Sequence, residues 1–303
     1  MYKKSYIVLS EADVDGQINA QNESLDMDSL KEQSKEIEYE EFYPKVLVYK
    51  NLFKDIDKTM RVLKRSENEL EQDPLKRKSM FNSWHDWYIF GSELDQWDMG
   101  RSQESEQTKE EFEVLNEILE IFYKAVFNYT SKFEVPEKKW FRMGPSICKY
   151  VSGVSQDGPA NELVMHYHSD YQLENIEEPG HKFAITVTLY LNDDYTGGEV
   201  DFLIGNKIKM FTPKSGDVMV FPAGNPLIFP EGDMYYHGVK KITSGDKYFI
   251  RCNWVYYYPG SPEWHANKDK YGDQLWEEME KERKNKQREL GLFHIVPENA
   301  ERI

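Results

Sequence analysis

Between residues 146 and 258, apolar and polar positions alternate with a period of two, in short runs broken by Gly, Pro, Asn and Asp. The runs are Ser146 to Val151, Leu163 to His168, Phe183 to Leu191, Glu199 to Ile204, Ile208 to Phe211, Val218 to Phe221, Tyr235 to Ile242 and Lys247 to Tyr258. Eight short strands joined by turn chemistry predict a jelly-roll or cupin-like barrel. Along Phe183 to Leu191, residues Ala184, Thr186, Thr188 and Tyr190 share one face, and Phe183, Ile185, Val187, Leu189 and Leu191 share the other. The first set reads as a polar cavity side and the second as an outer side covered by helices.

The helical period appears on either side of this region. Lys45 to Leu52 is β-rich, and after it Ile56, Met60 and Leu63 recur at helical spacing, which reads as strand, turn, helix. From Lys109 to Thr130, Phe112, Leu115, Ile118, Leu119, Phe122 and Val126 form one stripe of an amphipathic helix that needs a sheet to lean on. Beyond Pro262, Leu275, Trp276 and Met279 return to helical character before a charged run, KERKNKQREL, that reads as a solvated face. Leu9 to Glu41 is acidic, without periodicity for most of its length, and is expected to be loose or partly ordered. The organisation expected is a partly ordered acidic segment (1–43), a strand with helical support (44–140), a catalytic core (141–260) and a charged helical extension (261–303).

Composition narrows the function classes. The net charge of −16 disfavours a large phosphate-tracking surface, so nucleic acid is not expected as a partner. The apolar run near the start is too short for a secretion signal, and no stretch approaches membrane-spanning length, so a cytoplasmic protein is expected. Cys148 and Cys252 read as reduced core thiols. The sequon at Asn128-Tyr129-Thr130 reads as a chance match, and the aromatic stretch of Trp84, Trp87, Tyr88, Phe90 and Trp97 reads as packing.

Chemistry concentrates in His166-Tyr167-His168-Ser169-Asp170, where His166, His168 and Asp170 project from one strand face, and in His237, sixty-nine residues after His168. Two imidazoles and one carboxylate on one face of an octahedron leave three positions open, as non-haem Fe(II) oxygenases require. A His-x-His cupin site using His166, His168 and His237 is the alternative. Glu174, Gly216, Pro222 and Gly224 resemble parts of the cupin motifs, but the histidine expected near Leu227 is missing.

The motifs around these residues extend the pattern: Tyr190-Leu191-Asn192, Gly197-Gly198-Glu199, Pro213-Lys214-Ser215-Gly216-Asp217, and His237 followed by Lys247. With His168-Ser169-Asp170 they resemble, in order and spacing, the prolyl 4-hydroxylase-like branch of the Fe(II)/2-oxoglutarate-dependent dioxygenases, over about residues 143 to 258. The resemblance implies a double-stranded β-helix core, and His168, Asp170 and His237 as ligands of Fe(II), with no catalytic side chain beyond the metal site. Lys247, ten residues after His237, stands where the family carries its carboxylate-binding base, and Arg251 on the same strand face is the second choice. Tyr190 matches the family tyrosine that binds the same carboxylate, and Tyr150 is a further pocket candidate.

The resemblance also implies O₂ as oxidant, 2-oxoglutarate as co-substrate and ascorbate as a rescuing reductant. The presence of Asp170 points to hydroxylation, since halogenating relatives carry a small residue there. The substrate expected by resemblance is a prolyl residue of a peptide or protein, or a small metabolite. The rival classes are a cupin-type metalloenzyme that makes no succinate, and a non-catalytic binding module on the same fold.

Overall fold

The computed structural model describes residues 25–72, 86–87, 106–133, 141–142, 145–153, 162–170, 182–204, 207–223, 235–257 and 301–302. Within them run the helices α1 (Met27–Ser34), α2 (Ile56–Gln72) and α3 (Glu106–Lys132). The early strands are β1 (Glu40–Tyr43), β2 (Val46–Tyr49), β3 (Asp86–Trp87), β4 (Phe141–Arg142), β5 (Ser146–Val151), β6 (Leu163–His168) and β7 (Lys182–Tyr190). They are followed by β8 (Thr196–Gly197), β9 (Val200–Ile204), β10 (Lys207–Phe211), β11 (Val218–Pro222), β12 (His237–Lys240), β13 (Ile242–Ser244), β14 (Asp246–Tyr257) and β15 (Glu301–Arg302).

The larger sheet runs β1-β2-β11-β7-β14-β5-β3, with β4 also paired to β14. The smaller runs β15-β10-β9-β12-β6, and β13 pairs with β8 in a two-stranded piece. Two main sheets of this order, antiparallel except where β15 joins β10 in parallel, form a double-stranded β-helix, with the helices lying on one side. The alternation along β7 decides which side. Ile185, Val187, Leu189 and Leu191 join Ile250, Cys252 and Trp254 of β14 in a core shared with Leu115, Ile118, Leu119, Phe122 and Val126 of α3. The inner core, built from both sheets, contains Val46, Val48, Val164, Val200, Phe202, Met219, Phe221, Val239 and Phe249.

Two local features depart from the sequence pattern. Within the segment read as partly ordered, α1 forms on an N-cap in which Asp26 accepts a hydrogen bond from the backbone N–H of Ser29 at 3.0 Å, and it buries Leu30. A single buried leucine in a polar stretch leaves almost no periodicity to read. The run Tyr235 to Ile242 divides into β12 and β13, because Ile242 pairs with Gly197 of β8 while β12 stays in the smaller sheet. The C-terminal helical extension lies outside the described residues, apart from β15.

The sequon is also settled by packing. The Asn128 side chain is buried, accepts from the Tyr49 hydroxyl at 3.0 Å and donates to the carbonyl of Ser34 at 2.8 Å. It ties α3 to β2 and α1, and no glycan could be carried there. Phe122 is fully buried and meets Trp254 edge-on, with ring centroids 6.5 Å apart. Truncation of Phe122 to Ala is expected to lower stability by about 3–5 kcal/mol through lost burial and the cavity left behind, read from urea denaturation midpoints.

Candidate metal and carboxylate site

Strand pairing brings the two halves of the site together. β6 and β12 are antiparallel neighbours with His168 and His237 in register, so residues far apart in sequence become adjacent at one end of the smaller sheet. Asp170 follows β6 by two residues. One ligand atom from each of His168, Asp170 and His237 lies within 4.8 Å of the others. Asp170 Oδ1 stands 3.4 Å from His168 Nε2 and 3.9 Å from His237 Nε2. Two imidazole nitrogens and a carboxylate oxygen converging on one point fit a divalent iron with open positions.

Neighbouring groups orient His237 and Asp170. His237 Nδ1 lies 3.0 Å from the carbonyl of Tyr235, and a proton on Nδ1 donated to that oxygen leaves Nε2 with its lone pair aimed at the cluster. Tyr235 holds this carbonyl with a φ of 45°, a backbone region unfavourable to an aromatic residue. Burial, with the nearby His168, pushes the His237 pKa down to about 4, so the ring is neutral at physiological pH, the form a metal needs. Asp170 is buried, which alone would raise its pKa. The charge that His237 carries once protonated, at the low pH where Asp170 titrates, acts together with the His168 hydrogen bond and the Arg251 charge to outweigh burial and hold Asp170 well below the usual carboxylate range. Its second oxygen, Oδ2, accepts from the Thr186 hydroxyl at 2.6 Å, and Thr186 Oγ1 lies 3.0 Å from the side-chain amide of Asn253.

At the other end of the same cavity stands Lys247. It is 1% exposed, and its ammonium donates to the Gly198 carbonyl at 2.6 Å. Three aromatic rings surround it, with Tyr190 at 5.1 Å, Phe249 at 5.7 Å and Tyr195 at 5.8 Å from Nζ to the ring centroid. Among the described residues it meets no carboxylate. Burial drives its pKa down to about 7, against a weaker opposing pull from Glu199. A buried ammonium with one carbonyl partner and aromatic walls is a place for an anion.

The motif residues read in the sequence hold this end in place. Asn192 clamps the peptide groups on either side of Lys247, donating to the Asp246 carbonyl at 2.7 Å and accepting from the Tyr248 N–H at 2.7 Å. The turn before β11 pins Tyr190, whose N–H donates to the Asp217 carbonyl at 3.0 Å and whose carbonyl accepts from the Gly216 N–H at 2.8 Å. Gly216 has a φ of 83°, and a Cβ there would lie 2.5 Å from the Phe53 carbonyl oxygen.

The cavity between the two ends is lined by His168, Asp170, His237, Tyr150, Tyr190, Lys247 and Arg251 together with Thr186 and Thr188. All seven site residues named from the sequence therefore face one space. Sequence reasoning did not assign roles to Thr186, Asn253 or the Gly198 carbonyl. Thr186 had a visible signal, its place on the polar face of its strand, whereas its contact with Asp170 depends on tertiary packing. The His166 side chain, the Trp84 to Trp97 side chains and those of Tyr256 to Tyr258 lie outside the described ones.

Residues 157–256 match the model of the 2OG-Fe(II) oxygenase superfamily. No curated protein matches. Among solved structures, the chain is similar to the viral collagen prolyl hydroxylase of Paramecium bursaria Chlorella virus-1, at 19% identity and a TM-score of 0.38, over 48% of this chain and 71% of that one. A prolyl 4-hydroxylase of Phytophthora capsici aligns at 14% identity and a TM-score of 0.41, over 87% of this chain and 70% of that one. A prolyl hydroxylase of Trichoplax adhaerens, solved with a hypoxia-inducible-factor oxygen-degradation-domain peptide, aligns at 13% identity and a TM-score of 0.44, over 77% and 95%.

Replacing Thr186 by Val keeps the side-chain volume but removes the hydrogen bond to Asp170 Oδ2. The variant is expected to remain folded and to bind Fe(II) roughly 10- to 100-fold more weakly, read by anaerobic metal titration. Unchanged affinity would show that Thr186 does not support the carboxylate.

Proposed function

We propose that this chain, a 2OG-Fe(II) oxygenase of the prolyl 4-hydroxylase-like kind, hydroxylates an unactivated carbon of a peptide or a small organic molecule. The observation that carries the proposal is the pairing, in one cavity, of a two-His, one-carboxylate cluster with a buried lysine that meets no carboxylate among the described residues. His168, Asp170 and His237 would hold Fe(II), and Lys247 with Tyr190 would take the distal carboxylate of 2-oxoglutarate. Iron, 2-oxoglutarate and O₂ supply the oxidising power when bound, and ascorbate would return oxidised iron to the ferrous state.

The protein's part is to bind, orient and exclude water. Thr186 and the Tyr235 carbonyl keep Asp170 and His237 aimed before any metal arrives. Charge-assisted hydrogen bonding at Lys247 would fix the far end of the co-substrate, and the rings of Tyr190, Phe249 and Tyr195 keep that ammonium dry. A dry lysine is worth more to a carboxylate than a solvated one, since no water competes for its protons. No helix among the described residues is long and apolar enough to cross a membrane. Cys148 and Cys252 are buried, and reduced core thiols there suit a reducing compartment such as the cytoplasm.

The direct test loads the protein anaerobically with Fe(II) and 2-oxoglutarate, admits O₂ and follows succinate release and a 16 Da gain on candidate peptides and small acids. Succinate is expected from the wild type and should be lost in Asp170→Ala. Wild-type protein that binds metal and makes no succinate would overturn the reading.

The pH dependence follows from Lys247. The charged ammonium is the form that pairs with a carboxylate, and with its pKa at about 7 in the free protein it is already charged below that pH. Above it, binding must take up a proton. The Kd for 2-oxoglutarate, measured with Mn(II) in place of iron, should therefore rise above about pH 7 and approach roughly tenfold per pH unit. In Lys247→Met the Kd should be weaker throughout and lose this slope.

A further inference from the structure

His237 and Asp170 are aimed by the groups that touch them, and the place of His168 depends on the course of β6. β6 stands at the end of the smaller sheet, beside β12, and the pairing of the two is irregular. His168 lies opposite His237 and Met165 opposite Val239, so His166 and Tyr167 together face the single residue Gly238. That is a β-bulge, one extra residue on the strand that carries a ligand. Its effect shows in the cavity wall. Met165 and His168 both line the same space, although a separation of three would put them on opposite faces of a regular strand.

The other neighbour of β12 is regular. β9 and β12 keep register through His237 with Phe202, Gly238 with Asp201 and Val239 with Val200, so backbone pairing fixes Asp201 relative to His237. The Asp201 side chain is fully buried. Its Oδ2 accepts from the Tyr167 hydroxyl at 2.9 Å, and the Lys240 ammonium of β12 lies 3.5 Å from the same oxygen. Tyr167 reaches Asp201 across Gly238, where a Cβ would lie 3.4 Å from Tyr167 Cγ and 3.1 Å from the Met165 carbonyl oxygen. Its ring packs with Leu163, Ile208 and Leu203, away from the cavity.

We propose that Tyr167 and Asp201 are positioning residues for the metal site: their hydrogen bond pins the bulge of β6 to the regular β9 and β12 pair and so sets His168 against His237. The proposal rests on the metal-site reading above and deepens it. Neither side chain lines the cavity, so both act through the backbone of β6. A bulged strand at a sheet end has more than one pairing open to it, and a slip of one residue would turn His168 away from the inner face. The bond opposes that slip, because moving Tyr167 would leave a buried Asp201 oxygen without its donor. Gly238 belongs to the same device, since a side chain there would crowd both the ring and the Met165 carbonyl.

Anaerobic titration with Co(II), whose visible absorption reports ligand geometry, tests this without turnover. Tyr167→Phe keeps the ring and its packing and removes the hydroxyl; it should bind Co(II) roughly tenfold more weakly and alter the spectrum of the bound ion. Asp201→Ala should do the same, and Asp201→Asn, whose amide oxygen can still accept from Tyr167, should bind more tightly than Asp201→Ala. Tyr49→Phe is the control. It also removes a buried tyrosine hydroxyl, one that bonds Asn128 at 3.0 Å and the Ala125 carbonyl at 3.1 Å beneath α3, and it should lower the urea midpoint with Co(II) affinity unchanged. Wild-type affinity and spectrum in Tyr167→Phe, whatever its midpoint, would reduce the bond to a purely structural one and overturn the proposal. If that variant does not fold, equal affinities in Asp201→Asn and Asp201→Ala would overturn it as well. A wild type that binds no Co(II) would instead overturn the metal-site reading.

Discussion

The antiparallel pairing of β7 with β14 is the constraint on which the rest of the molecule depends. Because side chains alternate across a strand, every residue that β7 gives to the helices is matched by one that it gives to the cavity. Ile185, Val187 and Leu189 on one face are buried against α3, and their neighbours Thr186, Thr188 and Tyr190 must then face inward. β14 repeats the arrangement, with Ile250, Cys252 and Trp254 outward and Lys247, Phe249 and Arg251 inward. A register slip of one residue would put two cations into the apolar helix interface and three apolar side chains into the cavity. The hydrophobic layer under α3 therefore fixes the positions of polar groups that it never touches.

The ladder also sets the spacing of the site. Asn253 pairs with Thr186 near Asp170, Arg251 with Thr188, and Phe249 with Tyr190, with Lys247 beyond. Distances along the cavity are thus written in strand rungs rather than left to loops. Loops enter where the ladder cannot reach: the Gly198 carbonyl meets Lys247, the turn at Gly216 and Asp217 holds the Tyr190 backbone, and Asn192 holds the peptides around Lys247. The short motifs between the strands are fasteners for the two ends of the cavity.

That division explains what could be read from the sequence. Strand period, the polar and apolar faces of β7 and β14, and the apolar stripe of α3 are local patterns, and a jelly-roll or cupin-like barrel follows from them; the double-stranded β-helix is what the resemblance implies. Placing His168 opposite His237 depends on β6 pairing with β12, and the alternation of either strand alone does not reveal its partner; the motif order supplied that expectation. The helix α1 escaped notice because one buried leucine and an Asp26 cap leave no period. The split between β12 and β13 escaped because it is made by Gly197, a residue far away in sequence whose φ of 82° and close approach to the Lys241 carbonyl exclude any side chain. The contacts of Thr186 with Asp170 and of Lys247 with Gly198 are tertiary, and no spacing rule announces them.

The cavity and the chain carry opposite signs, and this bears on which molecules can enter. The protein as a whole has a net charge of −16, while Lys247 and Arg251 outnumber Asp170 on the described cavity wall. At ionic strengths where the screening length is about 8–10 Å, the outer charge repels an extended polyanion along its whole length, and a pocket buried behind aromatic walls is felt only at close range. A nucleic acid would need many phosphates neutralised on a surface of the wrong sign. A small mono- or dicarboxylate would meet that repulsion once, and buried donors in a region of low dielectric make stronger hydrogen bonds than they would in water. The β14 register places two inward-facing cations, Lys247 and Arg251, on one cavity wall inside a chain of opposite net sign.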